Sequence, residues 1–395
     1  MKKALIVILS ILMCIVVDAS ADGVAVPAGA YIVGEDIPAG YYSVMLGNSG
    51  SNISTWLNVW GAKVEDYQTN GGLLNNILIN SDNPIVGKVM IEDGTVVEFK
   101  TELVFSPYEP IEFDPDGTVM PPGEYIVGED IPEGYYTVSL ENTNDSTWLN
   151  VWGARVGDYQ TNGGLLYDTL LYGDAPIVGK VSLTEGTIVD IKSKLAFKTY
   201  EQTEFDPVGT IMPSGAYIVG EDIPSGYYTV TLGKESANNS TWLYVWGANV
   251  NDYDTNGGLI INILMNNDNP IVGKIMLVDG TVVNFDTELL FNAYEPIEFD
   301  PDGTIFPAGI YIVGEDIPEG YYTVSMDNSN GSNSTWLYVW GANVNDYDTN
   351  GGLINNILLE KGNNEVIGKL TLEEGNVLSL ESALTFKEYQ GISFD

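Results

Sequence analysis

The chain has 395 residues, with 55 Asp and Glu against 15 Lys and Arg and no histidine, for a formal charge of −40. Hydrophobic content of 44% and aromatic content of 11% exclude a disordered acidic tail, because there is ample apolar surface to build cores. So negative a surface repels the phosphates of nucleic acid, and without histidine the commonest general base and the commonest zinc ligand are missing.

Residues 1–21 read as a secretory signal, with Lys2 and Lys3 as the positive end, Ala4 to Val17 as the apolar stretch and Ala19-Ser20-Ala21 as the cleavage site. The apolar run is shorter than the ~20 residues that cross a bilayer, so no membrane span is expected in the mature chain. Cys14 offers a lipoprotein alternative, weakened by Met13 where that chemistry wants a small residue. Cleavage after Ala21 removes the single cysteine, so the mature fold must rest on core packing without disulfides. The destination is the outside of the cell, secreted or at its surface.

From Asp22 the sequence repeats with a period of about 93 residues, long enough for whole domains rather than solenoid turns. The units are 22–115, 116–207, 208–301 and 302–395, and each carries a net charge of −10 or −11. Four whole units beginning at Asp22 agree with cleavage after Ala21 and are expected to make up the mature chain. Even charge gives no unit a dedicated nucleic-acid or membrane patch; it keeps the units soluble and mutually repelling.

Each unit opens on the phrase Tyr31-Ile32-Val33-Gly34-Glu35-Asp36-Ile37-Pro38, which returns at Tyr125, Tyr217 and Tyr311. A turn at Pro132-Glu133-Gly134 then leads into a strand in which Tyr136, Val138 and Leu140 point inward, alternating with Tyr135, Thr137 and Ser139. The Trp56-Leu57-Asn58-Val59-Trp60 strand follows, repeated at Trp148, Trp242 and Trp336. Leu73 to Leu78 has spacing compatible with helix or strand, but it is short and follows Gly71-Gly72, which favours a strand. Pro84 to Ile91 and Thr95 to Phe99 flank Glu92-Asp93-Gly94, a hairpin signal. Six to eight short strands with no long helix predict an all-β chain of four tandem small antiparallel β-sandwich or jelly-roll-like domains after the signal peptide. The junctions run Phe-Asp-Pro without a Gly/Ser-rich stretch, which predicts four separate beads on short, stiff linkers.

The opening phrase resembles the Y-x-V-G-x-D-I-P-x-G-x-Y start of small all-β modules in exported proteins of Gram-positive bacteria. The resemblance covers the first ~20 residues of each unit and implies export and a β fold. It implies no activity and no catalytic residues.

Without His or a mature Cys, a Ser-His or Cys-His nucleophile is excluded. The recurring carboxylate pairs, Glu35-Asp36, Glu129-Asp130, Glu221-Asp222 and Glu315-Asp316, sit before Ile-Pro and read as turn caps rather than an acid–base pair. Asp114-Pro115-Asp116-Gly117 and Asp300-Pro301-Asp302-Gly303 hold a fragment of a calcium loop, but two carboxylates fall short of six to eight oxygens and Val208 replaces one at the second junction. No metal or cofactor is implied, and no enzyme activity is expected.

The Trp strand leaves two readings open. It is either a central strand buried on both faces, or one whose second face is an aromatic platform for flat sugar rings. The platform would consist of Trp56 and Trp60, Trp148 and Trp152, Trp242, Tyr244 and Trp246, and Trp336, Tyr338 and Trp340. The following loop would add hydrogen bonds from Tyr67 and Asn70, Tyr159 and Asn162, Tyr253 and Asn256, and Tyr347 and Asn350. Asn58 at the middle position suits a partly wet face. The expected function is therefore extracellular binding of a glycan or cell-wall polymer, with a structural spacer or stalk as the alternative; reiterated weak sites suit avidity.

Overall fold

The computed structural model describes residues 23–47, 53–61, 72–153, 164–173, 175–233, 240–247, 258–327, 333–341, 352–363 and 365–391. The signal segment lies outside them. The described chain is all-β, with 32 strands and no helix, in the same pattern of eight strands four times over. It forms two compact units that divide between Glu109 and Pro110.

In the first unit the strands are β1 (Val24–Val26), β2 (Gly29–Ile32), β3 (Gly40–Leu46), β4 (Ser54–Trp60), β5 (Leu73–Asn80), β6 (Ile85–Ile91), β7 (Val96–Phe99) and β8 (Leu103–Pro107). They pair antiparallel as β1–β8–β3–β6 and as β2–β7–β4–β5. Val44, Val89 and Phe105 of the first sheet share one buried cluster with Leu57, Ile77 and Phe99 of the second.

The second unit repeats this three times. Its strands are β9 (Thr118–Met120), β10 (Gly123–Ile126), β11 (Gly134–Leu140), β12 (Thr147–Trp152), β13 (Leu165–Leu171), β14 (Ile177–Leu183), β15 (Ile188–Ile191) and β16 (Leu195–Thr199). Next come β17 (Thr210–Met212), β18 (Ser214–Ile218), β19 (Gly226–Leu232), β20 (Ser240–Trp246), β21 (Leu259–Asn266), β22 (Ile271–Leu277), β23 (Val282–Phe285) and β24 (Leu289–Ala293). Last are β25 (Thr304–Phe306), β26 (Ala308–Ile312), β27 (Gly320–Met326), β28 (Ser334–Trp340), β29 (Leu353–Glu360), β30 (Val366–Leu372), β31 (Val377–Leu380) and β32 (Leu384–Glu388). Tyr136, Val138 and Leu140 are buried as their alternation predicts, and Leu73 to Leu78 lies in the strand β5.

One local device recurs twice in each repeat, in the pattern Pro-x-Gly-x-Tyr. The tyrosine hydroxyl donates to the carbonyl of the proline four residues back, as in Tyr31 to Pro27 at 2.7 Å and Tyr42 to Pro38 at 2.9 Å. The ring then lies over the glycine between them: a Cβ on Gly29 would sit 2.9 Å from the Tyr31 ring. The absent side chain is what lets the ring fold back onto its own strand.

Two expectations need correction. Glu92-Asp93-Gly94 is a turn, with Thr95 N–H donating to the Glu92 carbonyl at 3.1 Å, but it does not close a hairpin. Strand β6 pairs with β3 and strand β7 with β2 and β4, so the turn carries the chain from one sheet to the other. The Gly94 N–H accordingly donates to the Val33 carbonyl of the next layer.

Repeats 2 to 4 are also not separate beads. Strand β14 lies parallel to β18, with Val178 opposite Ser214 and Lys180 opposite Gly215, and β22 meets β26 in the same way. Two continuous eight-stranded sheets result, β21–β20–β23–β18–β14–β11–β16–β9 and β17–β24–β19–β22–β26–β31–β28–β29. Ala308, Ile310 and Val377 of repeat 4 belong to the buried cluster of repeat 3. A short Phe-Asp-Pro linker is consistent with either arrangement; edge strands with unsatisfied backbone groups favour the fused one.

Candidate functional site

The two faces of the Trp-x-x-x-Trp strand differ in burial. Leu57, Val59, Leu243 and Val245 are buried, as are their counterparts Leu149, Val151, Leu337 and Val339. The opposite face is graded rather than uniformly open. Trp56, Trp148 and Trp242 are 49%, 48% and 41% exposed, and Trp336 is half-buried. Trp60, Trp152, Trp246 and Trp340 are half-buried, Trp152 on Ile126 and Ile188, and Trp246 on Ala216 and Val282.

Along the face of repeat 3, Trp242 to Tyr244 and Tyr244 to Trp246 are 6.1 and 5.8 Å between ring centroids, with planes 19° and 37° apart. In repeat 4 the same steps are 5.9 and 6.4 Å, at 19° and 28°. The rings form a near-parallel ladder at the two-residue rise of a strand, ~6.6 Å.

In repeat 4 the ladder borders a cavity of about 280 Å³, lined by Tyr338 and Trp340 together with Ile260 and Asn262 of β21, Ser379 and Glu381. Burial pushes the Glu381 carboxyl above its ordinary range, opposed by hydrogen bonds from the Trp336 backbone and the Tyr338 hydroxyl. In repeat 3, burial and then the charge of Asp168 raise Asp286 in the same way. The cavity thus combines apolar rings with a few amide, hydroxyl and carboxyl groups, a composition general to small-molecule pockets. Tyr67, Asn70, Tyr159, Asn162, Tyr253, Asn256, Tyr347 and Asn350 lie outside the described residues.

The Glu-Asp pairs do cap turns. Asp36, Asp130, Asp222 and Asp316 each accept the backbone N–H four residues before them, at 2.9, 2.7, 2.7 and 2.7 Å. Asp114 likewise closes its own turn, accepting the Asp116 N–H at 3.0 Å.

A second role for the aspartate was not read from the sequence. Asp222 forms a buried ion pair with Lys180 of the preceding repeat, and Asp316 pairs with Lys274 at 2.6 Å. The Tyr200 and Tyr294 hydroxyls donate to the other carboxylate oxygens at 3.0 and 2.8 Å. Each lysine lies between two tyrosine rings: Lys274 is 4.3 Å from the Tyr227 centroid and 4.9 Å from that of Tyr294. Lys88 sits in the same way between Tyr41 and Tyr108, and Lys369 between Tyr321 and Tyr389. Burial first, then the neighbouring carboxylate, raises the Tyr200 hydroxyl well above its ordinary range; for Tyr294 burial is again largest, followed by its hydrogen bond to Asp316. The available signal was a lysine in the same Gly-Lys step of every repeat, in a chain poor in cations.

Among the described residues no group of three or more His, Cys, Asp or Glu side chains is placed to hold a metal ion. No protein-family model matches the chain, and no curated protein sequence matches it.

Proposed function

We propose that the chain is an exported, non-enzymatic array of four small β-sandwich units that binds a glycan or cell-wall polymer through the outer faces of its Trp strands. The observation that carries this reading is the exposure of Trp56, Trp148 and Trp242 at the same position of successive repeats, each large, apolar and about half open to water. Exposed aromatic rings beside polar groups suit the apolar faces and hydroxyls of sugars. Repetition at a fixed spacing suits a polymer, since each further contact is intramolecular. The signal segment 1–21 and the resemblance to exported Gram-positive modules support the compartment.

The test is binding of the purified protein to insoluble cell-wall polysaccharide and peptidoglycan, followed by tryptophan fluorescence. Binding is expected and should fall steeply when Trp56, Trp148 and Trp242 are all replaced by Ala. Retention of full binding by that triple variant would remove the aromatic face from the reading.

A structural spacer is the second reading, favoured by the continuous sheets that join repeat 2 to repeat 3 and repeat 3 to repeat 4, and by the buried ion pairs at those two junctions.

A further inference from the structure

The junctions between repeats 2 and 3 and between 3 and 4 are the same contact made twice. A tail face, carrying Gly273, Lys274, Tyr227 and Tyr294, receives a head face, carrying Gly309, Tyr311 and Asp316. The parallel strand pair brings the backbone of Gly309 against Lys274: a Cβ on Gly309 would lie 2.7 Å from the Lys274 carbonyl oxygen. The Tyr311 hydroxyl fills the place a Cβ would take on Gly273. Tyr217 does the same above Gly179.

The tail face of repeat 4 and the head face of repeat 1 each lie on an open sheet edge among the described residues. Strand β30 is an edge of its four-stranded sheet, and β2 is an edge of another. On β30, Lys369 is exposed between Tyr321 and Tyr389, with no ion pair among the described residues, and a Cβ on Gly368 would meet nothing within 4 Å. On the head side, Asp36 is exposed where Asp222 and Asp316 are buried.

Both faces are already shaped for the contact. Tyr31 holds its hydroxyl on the Pro27 carbonyl and stacks on Phe99 at 5.5 Å and 22°, as Tyr217 stacks on Phe285 at 5.5 Å and 23°. Thr323 donates to the Gly368 carbonyl at 3.1 Å, as Thr229 does to Gly273 at 2.8 Å. Little reorganisation is needed, and Lys369 and Asp36 carry opposite charge.

We propose that the tail face of the fourth repeat binds the head face of the first repeat in a second copy of this chain, building open head-to-tail chains. The contact is heterologous, so nothing in it closes a dimer, and each addition leaves the same two ends free. The incoming Asp36 takes the place of Asp316 beside its lysine, and the incoming Tyr31 hydroxyl takes the gap above Gly368. The inference does not depend on any glycan.

Sedimentation velocity of the purified protein tests it, run as a concentration series at physiological ionic strength, where charges are screened beyond ~8 Å. An open series of growing species is expected. Lys369→Asp and Asp36→Lys should each weaken association at least about tenfold. Mixing the two restores it, because Lys369 of one variant then meets Asp36 of the other. Gly368→Trp should block the tail sterically without changing charge; neither it nor Lys369→Asp touches a buried group, so both tail variants should keep the parent melting temperature. A single-chain mass throughout the series overturns the proposal, as does a closed dimer, a mixture that stays monomeric, or association that survives both tail variants.

Discussion

Trp242 and Leu243 are neighbours on one strand with opposite surroundings, and the difference is measurable as stability. Leu243→Ala empties a fully buried site and is expected to cost roughly 2–5 kcal/mol. Trp242→Ala removes a side chain 41% exposed and should change stability by no more than ~0.5 kcal/mol. Trp246→Ala should fall between them, since its ring covers Ala216 and Val282. Denaturant midpoints of the three variants in the full chain give the ranking, and a Trp242→Ala loss as large as that of Leu243→Ala would show a face sealed in solution. This alternation was legible because the strand period places neighbours on opposite faces. The gradation along the outer face was not, because what covers Trp246 comes from distant strands. Glu381 adds a pH dependence. Its folded-state pKa is raised above the ordinary 4.5, so the protonated form favours the fold. The stability tied to its proton is complete below that value and is lost as pH rises through the higher folded value. Acidification from neutral pH toward 5 is therefore expected to raise the melting temperature, and Glu381→Gln should raise it at neutral pH and shrink the gain. A melting temperature at neutral pH that Glu381→Gln leaves unchanged or lowers contradicts this account.

Among the elements, equivalent glycines in strands β22 and β30 make an internal control. A Cβ at Gly273 would overlap the Tyr311 hydroxyl and stand 3.1 Å from Pro307, whereas at Gly368 it would meet nothing. Gly273→Ala is thus expected to cost about 1–3 kcal/mol by overpacking. Gly368→Ala should be neutral, or stabilising by about 0.4–1 kcal/mol through the unfolded chain. Chemical denaturation of the two variants checks the difference, and equal effects would show that the site above Gly273 is not tightly filled. The strands themselves were legible from local pattern, including β5 at Leu73–Asn80, where two glycines and short length outweighed an ambiguous spacing. Their partners were less so. Asp93-Gly94 announces a turn, but turn chemistry acts over four residues and does not say which sheet the next strand joins. Here β7 leaves β6 and completes the other layer. The Gly-Lys step was missed for a related reason: a lysine inside a β-branched run reads as an exposed charge until the next repeat supplies Asp222 or Asp316.

On the scale of the molecule, repeats 2 to 4 behave as a one-dimensional array in which neighbours share sheets, and its stability is a sum of repeat terms and junction terms. The junction term depends on a buried ion pair, whose removal from one side leaves an uncompensated charge. Asp316→Ala strands Lys274 between Tyr227 and Tyr294, each within 5 Å, and also removes the acceptor for the Ile312 N–H. A cost of about 3–5 kcal/mol is expected at that junction. The same change at the exposed Asp36 removes only the turn cap and should cost no more than ~1 kcal/mol. Because the lost term couples repeat 4 to repeat 3, Asp316→Ala should do more than lower a midpoint. It should separate unfolding into two transitions, with amides of β26 to β32 exchanging hydrogen before those of β17 to β24. Peptide-resolved hydrogen exchange in low denaturant reads this directly. If exchange stays uniform across both repeats, or Asp36→Ala proves as costly, the ion pair is not what couples the array, and the parallel strands β22 and β26 with the shared cluster of Ala308 and Ile310 carry the coupling instead.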